Sequence, residues 1–389
     1  MNQLVKTSPS GADFNCPTCG LQLTRAAIPS GTKAQCPRCN TNLYRADYPS
    51  LSGNMVLLIS CLMLCIPAYS LNFLTIHLIG MKISASFFTM LIALYDSGFG
   101  LLSLLIALCG FLAPTGFCIS LFIQHYAISQ HNVGLYHRME KLTAHLRPWV
   151  MIDVFLLSVA IACVRLKDFA EIDVPTGLYI FIVLQVLTIM LVIRSNSKAY
   201  EHHLRERSPV FFHQLTTLRV DKKRDTHLSS ILLLCAAICF VPANFIPISI
   251  LMSNGNRTVD TIFSGVEYLM VNGLGGLAVI IFIASIAVPM LKILGLGYLI
   301  ASCRWGSGQL NTQNTKVYFF LKWIGKWSMI DLFVIAITLT LVDRGQLLDF
   351  VPGYGAIAFA AVVVFTMLAT ESFSPQLIWQ NDNSRQVNE

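Results

Sequence analysis

Eight apolar runs, at residues 55–76, 98–123, 149–164, 176–193, 229–251, 273–303, 327–342 and 353–372, constrain this chain more than any other feature of it. Such runs are read as transmembrane helices, since about 20 apolar residues in helical form cross the hydrocarbon core of a bilayer. Composition agrees: 12% of the residues are charged and 55% hydrophobic, whereas roughly a quarter are charged in soluble domains. The reading is an all-α polytopic membrane protein with eight transmembrane helices. The first 50 residues show no basic start followed by a short apolar stretch and a small-residue cleavage site. No signal peptide is expected, and the N-terminus stays in the cytoplasm.

A net charge of +7 points to nucleic acid or to anionic lipid, and the placement of the charges decides between them. Segments 1–52, 124–148, 194–228, 303–326 and 373–389 hold 21 of the 27 Lys and Arg residues. Lys82, Arg165, Lys167, Arg257 and Arg344 fall to the other side, and Lys292 lies within a span. This is the positive-inside bias, with both termini cytoplasmic. The basic excess reports topology and a lipid-headgroup surface, and no nucleic-acid partner is expected.

Trp149-Val150-Met151-Ile152-Asp153-Val154-Phe155 returns 178 positions later as Trp327-Ser328-Met329-Ile330-Asp331-Leu332-Phe333. The offset is 175 for Pro67-Ala68 and Pro242-Ala243, for Phe88 and Phe263 and for Pro114 and Pro289, and 177 for Pro175 and Pro352. Small loop indels with the spans retained predict duplication of a four-helix unit. Because four is even, both copies face the same way, as a parallel repeat. The domains expected are a cytoplasmic ribbon at 1–52, a first repeat at 53–193, a basic linker at 194–228, a second repeat at 229–372 and a cytoplasmic tail at 373–389. Segment 86–94 is apolar but too short to span, and reads as an interfacial or re-entrant helix capped by Ser84 or Ser86. Asp260 is the expected cap of its counterpart at 260–269.

Cys16-Pro17-Thr18-Cys19 and Cys36-Pro37-Arg38-Cys39 are two CxxC knuckles separated by 16 residues. That spacing fits a four-cysteine zinc ribbon, in which two turns each present two thiolates to a closed, structural, tetrahedral site. A module this short depends on its metal to fold. Cys61, Cys65, Cys235 and Cys239 sit at i, i+4 within apolar runs without a histidine near them, and read as small packing residues rather than haem or metal ligands.

A lysine or an aspartate inside the bilayer costs several kcal/mol unless paired or hydrated. Lys292 and Asp331 are therefore expected partners across spans six and seven. Ser285 shares a helix face with Lys292 and Ser328 shares one with Asp331. Thr366 in span eight completes the cluster, and Pro289 kinks or tilts the long sixth span. The first half offers Gly110, Phe117 and Ile189 at the matching places, with Thr188 one position away, and keeps Asp153. One reading is a structural ion pair with a snorkelling lysine. The other is a proton- or substrate-responsive site in the second half, with Asp153 as its structural counterpart.

This ordered set resembles the paraquat-inducible protein A family (PqiA, LetA), inner-membrane proteins of bacterial envelopes. The resemblance rests on CPTCG and CPRC ahead of the first span, two four-span units, P-x-x-K in span six and the paired W-x-M-I-D motifs. It implies a multi-pass inner-membrane partner of periplasmic MCE proteins, whose rings or tubes carry phospholipid between the two membranes. Family members commonly carry a second zinc ribbon in the middle cytoplasmic segment. Here 194–228 has no Cys, so that ribbon position is degenerate.

No GxxxxGK[ST] loop and no nucleophile-base grouping occurs, so the chain is not expected to be an enzyme. Two functions follow: phospholipid transport through a polar site in the second repeat, or a membrane scaffold and regulator of envelope integrity without transport of its own.

Overall fold

The computed structural model describes residues 2–4, 14–24, 28–78, 81–166, 171–195, 197–218, 226–247, 249–253, 256–271, 273, 275–305, 311–343 and 349–379. The N-terminal module has five short strands, β1 (Asn2–Leu4), β2 (Phe14–Asn15), β3 (Gln22–Leu23), β4 (Lys33–Gln35) and β5 (Asn42–Arg45). β1 pairs parallel with β4, β4 antiparallel with β5, and β2 antiparallel with β3. The CxxC turns follow β2 and β4. In each, the first cysteine carbonyl accepts from the N–H of the residue after the second cysteine, Gly20 or Asn40, at 2.9 and 3.0 Å. Those two residues have φ of 75° and 56°, a left-handed conformation that Gly and Asn adopt readily.

The first half runs α1 (Leu51–Ser70), β6 (Asn72–Leu78), β7 (Met81–Ser86), α2 (Phe87–Asp96), α3 (Gly100–Ala107), α4 (Ala113–Ser129), α5 (Val133–Leu146), α6 (Ile152–Leu166), β8 (Glu171–Asp173) and α7 (Thr176–Arg194). Two further helices, α8 (Ser197–Arg207) and α9 (Pro209–Leu218), occupy the basic linker. The second half runs α10 (Thr226–Phe245), β9 (Ser249–Ser253), β10 (Asn256–Asp260), α11 (Ile262–Val271), α12 (Gly275–Phe282), α13 (Val288–Trp305), α14 (Asn311–Ile324), α15 (Ile330–Asp343), β11 (Asp349–Pro352) and α16 (Tyr354–Ser372), followed by a 3-10 turn, Pro375–Trp379.

Among the described residues seven helical stretches are long and apolar enough to cross a membrane. The run at 327–342 forms α15, whose 14 residues follow a 3-10 turn, Gly325–Met329. Lipid-facing character shows on α1, which buries Leu58, Cys61 and Ala68 but turns Val56, Met63 and Ile66 outward.

Both halves carry a three-stranded sheet, in the order β7-β6-β8 and β10-β9-β11. The expected spans 55–76 and 229–251 are therefore too long. α1 stops at Ser70, where the Leu71 N–H reaches back to the Pro67 carbonyl at 3.0 Å, and the apolar run continues as strand. α10 likewise stops at Phe245, ahead of Pro247, a residue that disfavours helix before it. Ser86 caps α2, its Oγ accepting from the Thr89 N–H at 3.3 Å. The cap of α11 is Thr261, whose Oγ1 accepts from the Ser264 N–H at 3.1 Å. Asp260 instead ends β10, which corrects the expectation for that residue.

α3 passes into α4 through a π-helical turn, Leu108–Leu112, and α12 into α13 through another, Ile283–Ala287. The reason is the proline two residues beyond each turn. Pro114 and Pro289 lack the N–H that would bond four residues back, so the Gly110 carbonyl loses its helical donor and each turn widens. The Tyr69 hydroxyl donates to that Gly110 carbonyl at 2.7 Å.

α1 packs along α7, α10 along α16, and α6 against α15. The last pair joins the halves at the centre of the molecule. Ser158 Oγ donates to the Ile330 carbonyl at 3.1 Å, and Phe155 meets Phe333.

Candidate functional site

The sulfurs of Cys16, Cys19, Cys36 and Cys39 lie within 4.8 Å of one another, and all four residues are buried. Cys16 to Cys39 and Cys19 to Cys36 are each 3.6 Å, close to the roughly 3.8 Å between thiolates that a zinc–sulfur bond of about 2.3 Å gives in a tetrahedron. Hydrogen bonding among the four thiols brings Cys36 down to about 6 and Cys39 lower still, and pushes Cys16 and Cys19 up. The four buried sulfurs could hold a metal ion, and the cluster is compatible with zinc.

The module rests on the second half and on the linker. The Arg38 guanidinium lies 4.8 Å from the Trp379 ring centroid. Gln376 Nε2 donates to the Pro17 carbonyl at 3.3 Å, and Trp379 Nε1 to Thr315 Oγ1 at 3.1 Å. From α8, Lys198 Nζ donates to the Asn42 carbonyl at 2.8 Å, and burial lowers the pKa of that lysine. His203 Nε2 donates to the Pro49 carbonyl at 3.0 Å. The cysteine-free linker is a helical brace for the module.

Lys292, on α13, is 1% exposed. Its Nζ donates to the Gly325 carbonyl at 3.1 Å and lies 3.5 Å from Thr366 Oγ1 on α16. Ser285, in the π turn, and Ser328, in the 3-10 turn, are fully buried. Ser328 Oγ has no hydrogen-bond partner among the described residues. Pro289 is buried one turn before the lysine. Asp331 is the second residue of α15, but its side chain lies outside the described residues, and with it the expected pairing to Lys292. At the matching place in the first half, Phe117 is fully buried in the apolar core.

Gly325 is the member that sequence reasoning missed. It supplies a backbone carbonyl, and its only signal is a glycine breaking two helical patterns just before the W-x-M-I-D motif. A Cβ there would come within 3.7 Å of Lys292 Cε.

On the other side of Gly325 lies a cavity of about 750 Å³ between the two halves, at the end of the bundle that carries the cysteine module. Arg147, Met151, Asp153, Leu157 and Ser195 line it from the first half, and Lys322, Trp323, Trp327, Met367 and Glu371 from the second. Asp153 is exposed, and forms part of the cavity wall rather than a buried counterpart of the lysine cluster.

A helical bundle with seven apolar membrane-length helices among the described residues, a buried intrahelical lysine and an appended cysteine cluster defines a multi-pass membrane protein. The family described as Paraquat-inducible protein A matches residues 51–203 and again 228–382. The chain belongs to that family. It is 31% identical over 263 residues, 61% of each chain, to the Lipophilic envelope-spanning tunnel protein A of Escherichia coli K12. Over 349 residues, 80% of this chain and 82% of the relative, it is 28% identical to a Probable intermembrane transport protein of Haemophilus influenzae. It is also 28% identical over 295 residues, 68% of this chain and 70% of the relative, to the Intermembrane transport protein PqiA of Escherichia coli K12. The match spans 61% of the length of the first of these relatives. These relatives are named as envelope or transport proteins, not as enzymes. No solved structure matches the chain.

Proposed function

We propose that this protein is the inner-membrane component of an MCE-type lipid transport system, moving phospholipid between that membrane and a periplasmic MCE partner. Its architecture is two parallel four-helix repeats of eight transmembrane helices with zinc in an N-terminal ribbon, both termini being cytoplasmic. The relatives' names support the transport role, and the double family match supports the duplication. One observation carries the mechanism: an ammonium that is 1% exposed sits in an apolar helix, on a backbone carbonyl and a threonine hydroxyl. Neutral acceptors match a buried ammonium incompletely. Either its charge is balanced by Asp331 or by a ligand, or the amine gives up its proton, and a change between these states moves the Gly325–Met329 turn and α15. Pro289 and Ser285 serve this by leaving a widened turn where α13 begins.

The test is transfer of labelled phospholipid from vesicles holding the full chain to a soluble periplasmic MCE acceptor. Transfer above that of protein-free vesicles supports the reading. If wild-type protein gives only the protein-free rate, while Cys36→Ser alone disturbs envelope integrity in cells, the chain is a scaffold and not a transporter.

A further inference from the structure

The cavity between the halves has a charge pattern that the lysine cluster does not share. Two cations line it, Arg147 and Lys322, and so do two carboxylates, Asp153 and Glu371. Arg147 and Asp153 come from the first half, Arg147 at the start of the 3-10 turn ahead of α6 and Asp153 in the first turn of α6. Lys322 and Glu371 come from the second and are paired across the mouth, Nζ to Oε1 at 3.1 Å, both partly exposed. Arg147 is held by a bond from its guanidinium to the Val192 carbonyl at 2.8 Å, which uses one of five N–H donors. The Ser195 hydroxyl in the same wall is 4% exposed and has no hydrogen-bond partner among the described residues.

The rest of the lining is apolar or aromatic. Trp323 and Trp327 stand with ring centroids 5.8 Å apart and are 62% and 42% exposed, the placement of tryptophans at headgroup depth. Leu157 and Met367 continue the wall. The volume of about 750 Å³ falls within the ~300–1,000 Å³ of small-molecule sites.

We propose that this cavity binds the headgroup of a zwitterionic aminophospholipid from the leaflet on the cysteine-module side. The phosphate sits on the free N–H groups of Arg147 and on the Ser195 hydroxyl, the ammonium on the carboxylate of Asp153, and the glycerol end against Leu157 and Met367. Lys322 and Glu371, paired at the mouth, are the rim over which the headgroup enters. The pattern disfavours a headgroup that has the phosphate but no ammonium, because the Asp153 carboxylate would then face no cation. This names the substrate class for the transport reading and rests on it.

The test is lipid binding to the full-length protein in detergent, measured by native mass spectrometry with phosphatidylethanolamine and phosphatidylglycerol in competition. The wild-type protein is expected to prefer phosphatidylethanolamine by about tenfold, the size of one hydrogen bond to a charged group. Asp153→Asn removes the preference while still binding both lipids. Arg147→Ala weakens both by a similar factor, and Arg147→Lys recovers part of that loss. Equal binding of the two lipids by wild-type protein, or a preference that survives Asp153→Asn, overturns the proposal. A preference that vanishes in Asp153→Asn, in a protein that transfers no lipid, leaves the cavity assigned and sinks only the transport reading. Transfer without any headgroup preference does the reverse.

Discussion

Phe155 and Phe333, the last residues of the two W-x-M-I-D-x-F motifs, meet edge to face with their ring centroids 5.6 Å apart. Motifs 178 positions apart in the chain thus become partners in space, and the helices they open form the joint between the halves. Phe155 also stands 5.3 to 5.6 Å from Phe73, Phe87 and Phe181. Truncating either member of a fully buried aromatic pair costs about 3–5 kcal/mol. Phe155→Ala and Phe333→Ala are each expected to lower thermal stability in detergent. The double variant should lose less than the sum, by roughly 0.5–1.5 kcal/mol. Strict additivity would mean that the halves are not coupled through this contact.

Gly177 and Gly355 hold equivalent places at the starts of α7 and α16. A Cβ on Gly177 would lie 2.1 Å from the Asn72 carbonyl oxygen, and one on Gly355 would lie 2.3 Å from the Ile246 carbonyl oxygen. Backbone cannot swing aside as a side chain can, so Gly177→Ala and Gly355→Ala are each expected to cost about 3 kcal/mol or more. Gly276→Ala, where a Cβ meets nothing within 4 Å, is the control. Melting curves of the purified variants check this, and a wild-type midpoint for Gly355→Ala would show that the Ile246–Pro247 backbone does not press on α16.

Metal removal should act on the module and reach the second half through Trp379. Because the four sulfurs sit within 4.8 Å of one another, Cys36→Ser is expected to lose bound zinc and the fold of the module. Arg38 then leaves Trp379, and the junction before α1 opens to protease. The helical bundle should keep its circular dichroism. Full protease resistance in a zinc-free Cys36→Ser protein would mean that packing alone holds the module.

The helices were legible because apolar runs of membrane length admit little else. The sheets were not, because β6 and β9 continue the apolar runs of α1 and α10, and a short apolar stretch has the same composition as helix or strand. The helix caps were half legible: Ser86 matched its expected role, whereas Thr261 displaced Asp260 because Ser264 lies three residues beyond the threonine. Within the polar cluster, the cost of a lysine inside an apolar run singled out Lys292, and Thr366 was the neighbour expected from span eight, the two lying 3.5 Å apart. Gly325 could not be singled out, since what it offers is a carbonyl, which no residue type signals. The cavity was invisible because Arg147 and Asp153 lie far along the chain from Lys322 and Glu371, and only the packing of the two halves brings them around one space.

The proposed transport role requires Lys292 to act by its charge and not by its bulk. It is tested most directly by the rate of phospholipid transfer to an MCE acceptor with Lys292→Met, which keeps the volume and removes the ammonium. Wild-type abundance in the membrane is expected, with a rate reduced by at least about tenfold, the equivalent of one charged hydrogen bond. A wild-type rate from Lys292→Met at wild-type abundance would contradict it.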